Sequence, residues 1–206
     1  MEDHMDERLK KVAAELERRG FSAYALSTKE EARKLLLQKL EHAQTIGIGG
    51  SASIQQLDIV HAMQENGKQV YWHWLPTENA AEMRKQAARA DVYLASANAV
   101  TLDGKLLFID GTGNRTAAIT FGPGRVILVI GKNKLAADEK AGFHRIRTEA
   151  CPLNARRLHL RTPCALTGRC TDCASEQRMC NVFLTLERCP GAHPVEVLLV
   201  DEALGF

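Results

Sequence analysis

The chain has 206 residues, six cysteines and a formal net charge of +2. That is enough for one large domain, and too little charge for a protein organised around gripping a polyanion. No apolar run is long enough to span a bilayer and the N-terminus is charged rather than secretory, so a cytoplasmic globular protein is the expectation.

Leu9, Val12 and Leu16 fall on one face of 5–19, with Gly20 placed to end the turn, which predicts an amphipathic helix. Residues 21–26 read as a short extended segment. Two overlapping capping-box patterns, Ser27 to Glu30 and Thr28 to Glu31, open a second helix through Leu40. Residues 1–44 therefore read as an N-terminal helical segment packed on a domain of residues 45–206.

The apolar strand at Thr45 runs straight into Gly49, Gly50, Ser51 and Ser53. Glycines let a backbone approach a ligand closely, so this turn is a candidate anion site, or else a plain strand-to-helix turn. It is neither G-x-G-x-x-G nor a Walker loop, so no nucleotide is favoured. A helix over 54–65, a strand over 69–74, a helix over 77–89 and a buried strand over 91–96 follow, the last leading to Asn98. Residues 100–109 read as a hairpin turning at Asp103 and Gly104.

A second glycine-rich loop, Asp110-Gly-Thr-Gly-Asn-Arg115, places an acid, an amide and a guanidinium together. Asp110 is a candidate general base or a turn-former. Asn114 can face a substrate or cap a helix, and Arg115 can hold an anion or make an ion pair. After a short helix over 116–121 comes a strand over 125–130, Arg-Val-Ile-Leu-Val-Ile. Its continuous apolar run predicts a central parallel strand, hence an α/β fold with a mainly parallel sheet. Lys132 and Lys134 behind it read as a solvated loop, with an anion contact as the alternative. A helix over 135–150 and a basic helix from Pro152 lead to the cysteines.

Cys164, Cys170, Cys173 and Cys180 lie within 17 residues at spacing C-x5-C-x2-C-x6-C. Four soft thiolates in a reducing compartment point to tetrahedral zinc or to a [4Fe–4S] cluster, and both stay open. Zinc knuckles prefer two tight pairs, so the single C-x2-C with irregular flanks leans towards the cluster. Cys151 and Cys189 read as structural. The cations between Arg156 and Arg161 admit a nucleic-acid reading, but aromatics are sparse there and the whole chain is nearly neutral, which weighs against it. Two strands, over 182–186 and 195–200, close the chain, so the cysteines form an insertion lying against the domain.

Several of these runs together resemble the lactate-utilisation (LUD-domain) family: Ile48-Gly-Gly-Ser51, Asn98-Ala-Val-Thr-Leu-Asp-Gly104, Asp110 to Arg115, Phe121-Gly-Pro123 and Val129-Ile-Gly-Lys-Asn-Lys134. Thr162 to Gly168 and the cysteines behind it look like its stand-alone, cysteine-bearing branch. The resemblance implies a fold like ribose-5-phosphate isomerase and the CoA-transferases. In that superfamily the glycine loop after the first strand binds phosphate or acyl groups. It also implies a place in oxidation of lactate or another organic acid, alongside iron–sulfur redox partner proteins.

The resulting expectation is an electron-transfer or redox-complex component, a candidate oxidoreductase part. Its [4Fe–4S] cluster would sit on Cys164, Cys170, Cys173 and Cys180. A small anionic ligand would sit on Gly49, Gly50, Ser51, Ser53, Asn98, Asn114 and Arg115, with Asp110 as the candidate catalytic residue, and self-association is compatible with it. The alternative is an isomerase- or transferase-like enzyme on a small phosphorylated or acyl substrate, with structural zinc on the cysteines.

Overall fold

The computed structural model describes residues 5–206. Helix α1 (Glu7–Arg18) starts on an Asp6 side chain that accepts from the Arg8 N–H, and it buries the expected Leu9, Val12 and Leu16. Strand β1 (Ser22–Leu26) and helix α2 (Lys29–Lys39) follow, the latter capped by Thr28 on the Glu31 N–H. Strand β2 (Thr45–Ile48) leads into two short helices, α3 (Ala52–Gln55) and α4 (Val60–Glu65). The single helix expected there is broken at Asp58, whose φ of 47° is left-handed. Strand β3 (Gln69–Trp72), helix α5 (Ala80–Ala87) and strand β4 (Val92–Ala95) complete the first half.

Strands β5 (Ala99–Thr101) and β6 (Leu106–Asp110) form the predicted hairpin, with Gly104 at φ 84° in its turn. Helix α6 (Asn114–Thr120) and strand β7 (Arg125–Gly131) come next. The helix expected over 135–150 starts late. Residues Leu135–Ala136 form strand β8 on β5, and α7 (Glu139–Arg145) begins only after the Asp138 cap. A widened π-helical stretch, Ile146–Ala150, then runs into α8 (Cys151–Arg157). Pro152 cannot donate an amide hydrogen bond, which suits a break in the regular ladder there. Helix α9 (Pro163–Thr167) precedes the irregular cysteine segment, and β9 (Val182–Leu186) and β10 (Val195–Val200) end the fold.

The main sheet is parallel throughout, in the order β1-β10-β7-β4-β2-β3. The apolar run in β7 is internal, as its composition predicts, and Val126 to Ile130 are fully buried. Ile127 and Val129 face the helical layer with Leu36, Ile54 and Met63. Val126, Leu128 and Ile130 face α1 and the inner face of a second sheet, β8-β5-β6-β9. That second sheet was not legible as a separate layer. Its outer face carries a third, smaller core in which Ala99, Leu107, Ile109 and Cys151 meet Met179 and Cys180.

The sheet packs tightly against α5 at Gly47, where a Cβ would stand 2.0 Å from the Ala87 carbonyl oxygen. Backbone cannot swing aside as a side chain does. Gly47→Ala is therefore expected to cost about 3 kcal/mol or more, read as a lowered urea midpoint.

Candidate functional site

The carboxyl ends of the parallel strands share one crevice. The chain leaves β2 towards β3 on one side, and leaves β4 towards β7 on the other. Ligand crevices form at such a reversal. A cleft of about 230 Å³ opens there, lined by the segments after β2, β4, β6 and β7, by α8 and by the chain's last residue, Phe206. Its size admits a small molecule and falls just below the usual range for ligand pockets.

The structure gathers most of the expected site residues. Gly50, Ser51, Ser53, Asn98, Asp110, Asn114 and Arg115 all line the cleft. Gly49 stands just behind, where a Cβ would meet the Tyr93 hydroxyl at 2.8 Å and the Arg115 Cγ at 3.1 Å. Ser51 caps α3 by accepting the Ile54 N–H at 3.3 Å. Asn98 accepts from the Ile109 N–H at 3.0 Å and from Arg115 Nη2 at 3.1 Å.

Asp110 holds the turn that starts the loop. Its carboxylate accepts from the Arg115 and Thr116 amides at 2.8 and 3.1 Å and from its neighbour Gly111 at 3.0 Å. It starts α6 and lies 3.9 Å from the Arg115 Nε. Arg115 donates to the carbonyls of Ile109 and Ser96 besides Asn98. A guanidinium so fixed keeps its orientation towards the cleft.

Four further groups at the cleft were not expected there. Arg84 and Arg157 add positive charge, while Trp74 stacks under Arg157, 4.3 Å from ring centroid to guanidinium carbon. His73 is held at about 4, first by burial and then by Arg84 and Arg157. It is therefore neutral at pH 7. The unfolded imidazole takes a proton near 6.5 while the folded one refuses it, so stability is full above 6.5 and falls as the pH drops towards 4. The His73 ring resonances in an NMR titration are expected to stay unmoved between pH 8 and 5.5.

Lys134 corrects the solvated-loop reading. The single 3₁₀ turn Lys132–Lys134 sends the two lysines opposite ways. Lys132 reaches outward to Asp201 at 2.9 Å, while Lys134 is 3% exposed and lines the cleft. Its Nζ contacts Ser53 Oγ and Ser96 Oγ. The only sequence signal was its place at the end of a parallel strand. The tail also takes part: Ser53 Oγ donates to the Leu204 carbonyl, and Gly205 lies so close that a Cβ would meet that Oγ at 2.5 Å.

The cysteine segment forms one wall. Cys151 and Met179 line the cleft, and the Met179 backbone packs on Gly111, where a Cβ would find its carbonyl oxygen at 3.1 Å. Cys164, Cys170, Cys173 and Cys180 are half-buried and form no disulfide with one another. Burial pushes the Cys180 thiol up, Arg178 opposes this, and the charges of Cys170, Cys173 and Cys164 reach it. Arg178 ties the segment by donating to the Cys173 carbonyl at 2.7 Å, the Cys180 carbonyl at 3.2 Å and Asp172 at 2.8 Å. Among the described residues, no three His, Cys, Asp or Glu side chains converge tightly enough to hold a single metal ion. Cys189 lies elsewhere, its amide on the Arg19 carbonyl and its thiol near the carbonyls of Pro190 and His193.

A parallel α/β sheet with a cation-lined cleft at its switch point defines the class. The chain belongs to the LUD domain family, whose profile matches residues 9–200. A crystal structure of a DUF162 family protein from Deinococcus radiodurans shares the fold, with a TM-score of 0.53 and 14% identity over 94% of this chain and 96% of that one. No curated protein matches it significantly. No helix among the described residues is long and apolar enough to cross a membrane.

Proposed function

We propose that this LUD-domain protein is a cytoplasmic component of a redox complex in lactate or other organic-acid utilisation. It holds a [4Fe–4S] cluster on Cys164, Cys170, Cys173 and Cys180 and binds a small organic anion in the cleft. One observation carries the reading. The segment that bears the four cysteines is also a wall of the cation-lined cleft, through Met179 against Gly111.

The donor set suits the group. It is four soft thiolates on one short segment, and the charges of Cys170, Cys173 and Cys164 reach Cys180. The cluster, when bound, exchanges single electrons with a partner. The chain's own residues do the rest. Arg178 fixes the cysteine segment and places positive charge beside the thiolates, and Arg84, Arg115 and Arg157 attract the anion.

Purification without air, followed by visible absorption and iron, sulfide and zinc analysis, tests this. About four irons per chain with a broad band near roughly 400 nm is the expected result. One zinc in a colourless protein would instead move the reading to an isomerase- or transferase-like enzyme with a structural metal.

A further inference from the structure

The cleft contains a group that anion binding alone does not use. Lys134 Nζ lies 2.7 Å from Ser53 Oγ and 2.9 Å from Ser96 Oγ. Each hydroxyl already sends its own proton elsewhere, Ser53 to the Leu204 carbonyl at 3.1 Å and Ser96 to the Ala97 carbonyl at 3.1 Å. Both serine oxygens therefore accept from the lysine, and Nζ spends two N–H bonds on them.

A neutral amine has two N–H bonds and one lone pair, so it is fully satisfied here with the lone pair left for the cleft. An ammonium would carry a third proton with no acceptor found for it. Among the described residues no carboxylate makes an ion pair with Lys134. Burial first, then the charges of Arg145 and Arg115, drive its proton affinity well below that of an ordinary lysine.

We infer that Lys134 is a nucleophilic amine that forms an imine with the carbonyl group of a small anionic aldehyde or ketone seated in this cleft. The inference rests on the cleft taking a small organic anion, and it names the class. The Nζ lone pair adds to the carbonyl carbon, so a C–N bond forms as the C=O π bond breaks. Both amine protons then leave with the oxygen as water, giving C=N. No oxidant or reductant enters the step. Ser53 and Ser96 already hold those two protons in hydrogen bonds, and so stand in their path. Arg115 supplies charge for the anionic end.

The full-length protein, purified without air, is incubated near neutral pH with glyoxylate and sodium cyanoborohydride, then digested and mapped by mass spectrometry. A carboxymethyl mark on Lys134, forming at least about tenfold faster than on any surface lysine, is expected. Oxalate should slow it, and neutral acetaldehyde should show no such preference. Lys134→Met, checked for folding by circular dichroism, should lose the fast mark; if it fails to fold, the wild-type map still decides.

Marks on surface lysines with Lys134 untouched would overturn the inference. So would equal marking by acetaldehyde without oxalate protection. Calorimetry with oxalate separates the two claims. Oxalate bound with Lys134 unmarked removes the imine and leaves the anion cleft standing, whereas neither oxalate binding nor marking removes both.

Discussion

Asp110→Ala is expected to lower the unfolding free energy by about 3–5 kcal/mol, a large part of the 5–15 kcal/mol typical of a domain. The carboxylate is 7% exposed and accepts three backbone amides, those of Gly111, Arg115 and Thr116. Truncation strands these donors together at the start of α6. It also leaves the Arg115 guanidinium with one fewer negative neighbour inside the protein. Asp110→Asn keeps one good acceptor and should cost less, about 1–2 kcal/mol. Urea unfolding followed by circular dichroism reads both. A cost for the alanine variant below about 1 kcal/mol would mean that these bonds do not hold the loop. The same variants separate structure from chemistry at this residue, because Asp110→Asn can be assayed in a folded protein.

Much of the architecture was legible because it is local. The unbroken apolar run of β7 announces a strand buried on both faces, and the Thr28 cap and the Asp103–Gly104 turn announce a helix and a hairpin. The two glycine-rich loops end parallel strands, and such ends meet at a crevice, so seven of the eight expected cleft residues line it. What stayed hidden depends on partners distant in sequence. Lys134 meets serines 81 and 38 residues away, and nothing in Gly-Lys-Asn-Lys distinguishes the inward lysine from the outward one. Strand β8 has two residues, too few for any periodicity, and it exists because β5 offers an edge. The break at Asp58 likewise carries no Gly or Pro to mark it. Arg84, Arg157 and Trp74 come from helices and a loop whose approach to the cleft is set by packing alone.

Alanine at Cys164, Cys170, Cys173 or Cys180 is expected to remove more than about half of the iron and sulfide from protein purified without air, since under the proposed function each thiolate would hold one corner of a cluster. Cys189→Ala should keep the full content, because its thiol sits among the carbonyls of Pro190 and His193, apart from the segment. Cys151→Ala should also keep it. That thiol is buried at the cleft wall, and burial pushes it up to about 12, so it stays protonated. Iron and sulfide unchanged in all four variants would remove the cluster from these cysteines.

The same proteins test whether cluster and cleft are coupled. The stretch from Cys173 to Asn181 reaches the anion site through Met179 on Gly111 and Asn154, and through Asn181 on Gly111 and Asp110. If the proposed cluster anchors that segment, oxalate affinity should fall by about tenfold in Cys173→Ala, or about 1.4 kcal/mol, and stay level in Cys189→Ala. Iron lost with oxalate affinity unchanged would mean that the wall holds without its metal, and that the two halves of the site act independently. A joint loss would mean that the anion pocket is completed by the cluster segment, which is what a protein that connects a bound organic acid to an electron carrier requires.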